Sequence, residues 1–462
     1  MPVLSNMAVR DIETVIHPYT NLARHRETGP VVLDRGEGIY VYDDAGKRYI
    51  EGLAGLWCSS LGYANKELVD AAAEQMSRLS YSHVFAGKSH HDAIELSEKI
   101  KEIAPCPASK VLFCSGGSEA NDMQVKLTWY YNNARGKPEK KKIISRIKGY
   151  HGVTVAAGSL TGLPAVQTDF DLPIKNVVFT SCPHFYRFGQ DGESEEQFVA
   201  RIVQSLRELI EREGPETIAA MIAEPVMGAG GVIVPPAAYY PAIQKVLDEH
   251  DIIMIDDEVI NGFGRTGNWW GCETLGMRPT TISAAKQLTS AYAPLGAVMI
   301  PEDIYQAYVD HSRQIGTFGH GFTYGGHPLG CALGVKAIEI YQRRDIIGHV
   351  RTLAPVFEAR MRKLAGNPLV GEARYCGLVG GVELVADRGT KRSFDAARGV
   401  GPQLTKFLEG RGAILRAIGD TIAICPPMII TEAELNELFD RLELALVDTE
   451  AWVAKEGLRA AA

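Results

Sequence analysis

The chain has 462 residues, 46% hydrophobic and 23% charged, with a formal net charge of −8, enough apolar material for a substantial core spread over two or three domains. No basic face or tail stands out, which argues against nucleic acid or anionic lipid as a partner, and no apolar run is long enough to span a bilayer. The eight cysteines form no CxxC pair and several lie inside apolar runs, so they read as reduced core thiols and point to the cytoplasm.

Along the chain, MPVLSNMAVRDIETV lacks a basic n-region followed by an apolar h-region, and no targeting signal is expected. GIYVYDDAGKRYIEG (38–52) alternates and breaks at Asp-Asp-Ala-Gly-Lys, predicting an antiparallel hairpin. KELVDAAAEQMSRL and HDAIELSEKIKEI then carry helical periodicity. His90 and His91 are neighbours rather than i,i+4 partners and no HExxH occurs, so no metal is expected. VLFCS, KKIISRI, NVVFT, IAAMIAEP, IIMIDD and TTISAA are strand candidates, several separated by helical stretches such as FVARIVQSLRELIEREG. This alternation predicts an α/β domain with a mainly parallel sheet, whose ligands bind beyond the carboxyl ends of the strands.

Chemistry-bearing residues cluster at those ends. CSGGSEAND (114–122) links a strand to a helix and makes a phosphate cradle from glycines, hydroxyls and first-turn amides. KPEKKK (137–142) reads as a solvated loop after that helix. KGYHG brings Tyr150 and His151 past the next strand, and AEPVMGAGG puts Glu224 at the tip of another. IIMIDDEVINGFGRTG (252–267) ends a strand in Asp256 and Asp257. Its formal GxGxxG raises a dinucleotide-dependent oxidoreductase as a rival reading, but three acids separate it from the strand and NWWG follows where a helix should open. In SAAKQLTSAYAPLGAV (283–298), Lys286 stands alone among small and apolar residues, where an ammonium is costly to bury. Beyond GTFGHGFTYGGHPLG a helix begins near Pro328, and LVGGVELV and ILRAIGDTIAICPP suggest a smaller α+β domain with which the N-terminal hairpin packs.

A phosphate at a helix N-terminus, a flat ring beneath an aromatic, a carboxylate at the ring's far end and a lysine able to form an imine are the four handles of pyridoxal 5′-phosphate. The carboxylate keeps the pyridine nitrogen protonated, and the lysine acts first as nucleophile and then as base. The second role needs a lowered pKa, which apolar surroundings supply.

From HPYTN near one end to GDTIAICPP near the other, and most specifically in DEVINGFGRTG followed by AKQLTSAYAPLGAV, the sequence resembles the class III aminotransferases. These are pyridoxal phosphate enzymes of fold type I, and the likeness is greatest to the (S)-selective ω-transaminases that use pyruvate as amino acceptor. The resemblance implies a large domain (66–330) around a mainly parallel seven-stranded sheet and a small α+β domain built from both termini (1–65 and 331–462). It makes Lys286 the cofactor-binding lysine, Asp257 the partner of the pyridine nitrogen, Tyr150 and Val259 the two faces of the ring site, Gly117 and Ser118 the phosphate site, and Glu224 an acid beside the cofactor. Thr323, with Phe322 beside it, completes the phosphate site from the second subunit of a homodimer, or of a tetramer built from such dimers. Arg416 matches the family's mobile arginine for the acceptor carboxylate, and Leu56, Trp57, Tyr150 and the neighbouring subunit's copy of Phe85 make apolar walls for the amine. The implied activity moves an amino group from a primary amine or ω-amino acid to an α-keto acid by a ping-pong route, with an aminomutase or a decarboxylating relative as alternatives on the same fold. Ser115-Gly116 and LWCSSLGYAN depart from the family's common NSGSEAN and LWCVNxGYG forms.

Overall fold

A computed structural model describes residues 4–459; the first three residues of the N-terminal stretch lie outside the described residues. The predicted hairpin forms β2 (Tyr40–Asp43) and β3 (Arg48–Glu51), with β1 (Leu33–Glu37) antiparallel on the far side of β2. Asp43 closes the turn, its Oδ1 accepting from the backbone N–H of Ala45 at 3.1 Å and of Lys47 at 2.8 Å.

The large sheet holds β4 (Ala108–Cys114), β5 (Lys142–Arg146), β6 (Val177–Thr180), β7 (Ile218–Ala223), β8 (Ile253–Asp257), β9 (Thr281–Ala284) and β10 (Gly296–Pro301), in the order β4-β10-β9-β8-β7-β5-β6. β5 to β9 pair in parallel, and every residue of β7, β8 and β9 is buried, as expected of strands covered on both faces. Six of the seven strands match the predicted segments. The seventh, β10, has no counterpart among those segments, although the resemblance implies seven strands; it runs antiparallel between β4 and β9, and its sequence GAVMIP begins inside the lysine motif with no α-helix between it and β9. Because β10 alone is reversed, the carboxyl ends of the other strands share one edge.

The C-terminal region forms a sheet of β11 (Val370–Cys376), β12 (Val379–Leu384), β15 (Thr421–Ile424) and β14 (Arg416–Ile418), while β13 (Ala413–Ile414) pairs in parallel with β3 of the N-terminal hairpin. The helix expected near Pro328 runs Pro328–Arg343. All eight cysteines are free, and no helix among the described residues is long and apolar enough to cross a membrane.

Two expectations about loops resolve differently. The GxGxxG at 262–267 is a run of turns, and the next helix is the five-residue Gly271–Leu275, so no helix N-terminus faces a pyrophosphate there. The KPEKKK run, expected to be solvated, is an ion-paired junction. Lys137 lies 2.8 Å from Asp251, Lys140 is buried with its Nζ donating to the His250 carbonyl at 2.9 Å, and Lys142 lies 3.0 Å from Glu213. The acids that neutralise the cluster come from the ends of distant helices, which is why the charge run looked unpartnered in sequence.

Candidate active site at the carboxyl edge of the large sheet

Five strand ends converge on one cavity of about 320 Å³. β4 delivers Ser115 to Ser118, β5 delivers Tyr150 and His151, β7 delivers Glu224, β8 delivers Asp257 and Val259, and β9 delivers Lys286. Seven of the residues picked out in sequence (Lys286, Asp257, Tyr150, Val259, Gly117, Ser118 and Glu224) line this single space.

Lys286 follows β9 at φ 48°, in the left-handed region, and opens the single 3₁₀ turn Lys286–Leu288. Such a conformation is disfavoured for a residue with a Cβ and is characteristic of functional positions. It is half-buried, lines both this cavity and a neighbouring one, and makes no salt bridge among the described residues. Burial pushes its ammonium below the ordinary lysine value, opposed by the Asp257 carboxylate. The outcome favours a neutral, nucleophilic amine more than solvent would.

Asp257 ends β8 and is held from behind. Asn121 Nδ2 and His151 Nδ1 each lie 2.7 Å from its Oδ2, and the Val259 backbone N–H donates to Oδ1 at 3.2 Å. Asn121 also donates to the His151 carbonyl at 2.8 Å, so amide, imidazole and carboxylate orient one another. Three donors leave a carboxylate with unused acceptor capacity, and Asp257 lines the cavity, so it can take a further N–H from a protonated ring nitrogen.

The helix Gly117–Ala134 opens at the cavity with Gly116 as its cap and no side-chain cap hydrogen bond, leaving first-turn amides for an anion. A Cβ at Gly117 would meet Val259 Cγ1 at 2.8 Å, so this glycine lets the helix terminus and the Val259 wall approach closely. Glu224 lies below Tyr150, its Oε1 accepting from the Tyr150 backbone N–H at 2.9 Å and its Oε2 from Gly228 at 2.8 Å; burial raises its pKa. A lysine, a carboxylate with spare acceptor capacity and an uncapped helix terminus around one slot match the donor set that pyridoxal phosphate requires.

A second cavity of about 450 Å³ shares Lys286, Tyr150 and Ile260 with the first and adds Tyr19, Leu56, Trp57, the segment 163–166 and Arg416. The Arg416 guanidinium lies 5.6 Å from the Tyr19 ring and 5.3 Å from the Trp57 ring, a cation between two aromatic faces. Burial lowers its pKa from the usual arginine value.

Asp256 and Asp257, adjacent in sequence, point to opposite faces of β8, as the two-residue period of a strand requires. Asp256 is buried beside Glu258 and Cys272, their ligand atoms within 4.8 Å of one another. Burial, with Glu258 beside it, raises the Asp256 pKa well above the carboxylate range, and burial lifts Glu258 to about 7. The folded chain thus keeps protons that the unfolded chain releases near pH ~4, so this pair erodes stability as pH rises from about 4 to 7. Asp256→Asn is expected to melt about 2 °C or more higher than wild type at pH 8 and to show little difference at pH ~4, below the window in which the unfolded carboxyl ionises, measured by calorimetry at both values.

Thr323, Phe322 and Phe85 line neither cavity of their own chain. Thr323 and Phe85 are exposed, the latter at 43%, and Phe85 lies against Gly321 in the same surface region. Several lining or supporting residues were not singled out for a role in sequence: Tyr19, Cys58, Asn121, His151 and Ile260. Asn121 carried a usable signal, lying one helical turn beyond Gly117 on the same face. Tyr19 lies in the HPYTN segment that marks one end of the resemblance, but nothing local gave it a role.

The chain matches the family model for class III aminotransferases over residues 22–446. It is 45% identical over 442 residues, 96% of this chain and 87% of the other, to a probable mitochondrial gamma-aminobutyrate transaminase 3 of Oryza sativa subsp. indica. Among solved structures it resembles an omega transaminase from Pseudomonas jessenii in complex with PMP, at a TM-score of 0.96 and 48% identity, covering 97% of this chain and 99% of that one. It also resembles a PMP-bound aminotransferase from Vibrio fluvialis, at a TM-score of 0.95 and 41% identity over 97% and 99% of the two chains. Built on the seven-stranded sheet and cavity described above, the chain belongs to the class III aminotransferases, pyridoxal phosphate enzymes of fold type I.

Proposed function

We propose that the protein is an ω-transaminase that takes the amino group of a primary amine or ω-amino acid and delivers it to an α-keto acid such as pyruvate. The observation that carries this reading is Arg416 held between Tyr19 and Trp57 at the edge of the cavity that Lys286 also lines. A planar cation there can pair bidentately with the carboxylate of a keto acid or an ω-amino acid. The flanking rings with Leu56 and Tyr150 offer an apolar surface to an uncharged amine, so one space serves both kinds of substrate.

Pyridoxal phosphate, when bound, supplies an electrophilic aldehyde and a ring able to spread negative charge from the substrate carbon. In this reading the first-turn amides of Gly117 and Ser118 bind its phosphate, Asp257 holds the proton at the ring nitrogen, and Tyr150 and Val259 enclose the ring. Lys286, whose ammonium burial makes easier to deprotonate, carries the cofactor and then moves the proton to and from the substrate α-carbon. Glu224 positions Tyr150 through the backbone.

We also take the active form to be a homodimer, in which Thr323, Phe322 and Phe85, which line neither cavity of their own chain, reach those of the partner. Residues 1–65 and 331–462 form the small domain and 66–330 the large one in this reading, and the free cysteines favour the cytoplasm.

The test is a half-reaction panel on purified holoenzyme. Amines and ω-amino acids, added one at a time, are expected to convert the bound cofactor's absorbance stoichiometrically without keto acid, and pyruvate is expected to restore it, with parallel double-reciprocal plots in steady state. Release of carbon dioxide, or amino transfer confined to one substrate molecule, would replace this reading with a decarboxylating enzyme or an aminomutase.

A further inference from the structure

One wall of the substrate cavity comes from far up the chain. Tyr19 lies between the helices Asn6–Thr14 and Leu22–Thr28, in a segment with no regular secondary structure, and has φ 52°, a left-handed conformation that a tyrosine adopts only under constraint. Its hydroxyl donates to the Tyr150 hydroxyl across 3.4 Å, and its ring lies 5.6 Å from the Arg416 guanidinium. The residue is 59% exposed in the single chain, so contacts within the chain cover less than half of it.

The constraint lies beside it. His17 Nε2 is 2.8 Å from Asp11 Oδ1 and 3.0 Å from Oδ2, and His25 Nε2 is 3.3 Å from the same Oδ1. The two imidazoles lie over one another with centroids 4.1 Å apart and planes 31° from parallel. Asp11 belongs to the first helix and His25 to the second, while His17 lies in the strap between them, so one carboxylate joins all three pieces. The first helix is itself tied to the hairpin turn, where Ser5 Oγ donates to Asp44 Oδ2 at 2.6 Å. With Nε2–H on both rings, the carboxylate accepts two charge-assisted hydrogen bonds and fixes both ends of a short strap.

We propose that Asp11, His17 and His25 form a clasp that positions Tyr19, and through it sets the width of the substrate cavity and the resting place of Arg416. These are positioning residues and touch no substrate. The proposal rests on the reading of this cavity as the substrate site. An open clasp frees the strap, withdraws the Tyr19 face from amine and arginine alike, and leaves the cofactor cavity intact, because none of the three clasp residues lines it.

The experiment compares wild type, Asp11→Ala, His17→Ala, Tyr19→Leu and the Asp11→Ala/Tyr19→Leu double variant as holoenzymes, with kcat and KM measured for an aromatic primary amine and cofactor content determined for each. Tyr19→Leu and Asp11→Ala are each expected to raise the amine KM about three- to tenfold, the weight of one aromatic contact, with kcat changed less than twofold and cofactor content unchanged. The double variant is expected to be no worse than Tyr19→Leu, because the clasp has nothing left to position. His17→Ala, which leaves Asp11 and the first helix untouched, is expected to reproduce Asp11→Ala and stands in for it if that variant does not fold. The clasp is overturned if either clasp variant leaves KM unchanged, if its effect multiplies with that of Tyr19→Leu, or if it loses cofactor. An active wild type with a KM indifferent to Tyr19→Leu also overturns the clasp alone, whereas a wild type without amine turnover overturns the substrate reading beneath it.

Discussion

Lys286→Ala is expected to lower steady-state turnover at least ~10³-fold, since in the proposed function one substitution removes both the nucleophile that carries the cofactor and the base that moves the α-proton. In the proposed site the phosphate and ring are held by other residues, so the variant is expected still to bind pyridoxal phosphate, now without a covalent link. Borohydride treatment followed by peptide mapping is expected to attach the cofactor at residue 286 in the wild type and nowhere in the variant. Lys286→Arg keeps a cation in the same place but cannot lose its proton, and it is expected to be as inactive as the alanine variant. This separates nucleophilicity from charge. Normal turnover in either variant would end the assignment.

For Asp257→Asn the expected loss is about 10²–10³-fold in kcat, the scale of removing one preorganised electrostatic group from a closed site. Asn121 and His151 both aim at Oδ2 of this residue, so an amide whose oxygen takes that place keeps both donors but loses the charge and turns its NH2 toward the Val259 backbone N–H. The penalty should fall on removal of the α-proton. An α-deuterated amine is therefore expected to show a larger kinetic isotope effect in Asp257→Asn than in wild type. Turnover within tenfold of wild type would mean that the ring's charge is held by some other group.

The sequence pattern exposed most of this architecture because the large sheet is built from short apolar strands each delivering polar residues at one end. It missed β10, whose GAVMIP was absorbed into the lysine motif and lacks the strand-to-helix alternation that identified its neighbours. Asp257 stood out as a strand-end acid, yet the reason it differs from Asp256 lies in strand alternation and in what covers each face of β8. Arg416 and Trp57 were legible only through family likeness, since an arginine that meets two aromatics from hundreds of residues earlier in the chain leaves no local trace. The same limit hid the partners of KPEKKK and the support that Asn121 and His151 give to Asp257. Local chemistry can be read from a segment; long-range pairing cannot.

The pairing of β3 with β13 has a consequence for biosynthesis. Ile50 meets Ala413, and the bonding edge it presents leaves the ribosome long before its complement is made. At ~5–20 residues per second the interval lasts roughly 20–70 s. Throughout it the nascent hairpin offers an open edge to other chains, which makes this the step at which a chaperone would help most and at which early termination would leave a fragment prone to clump.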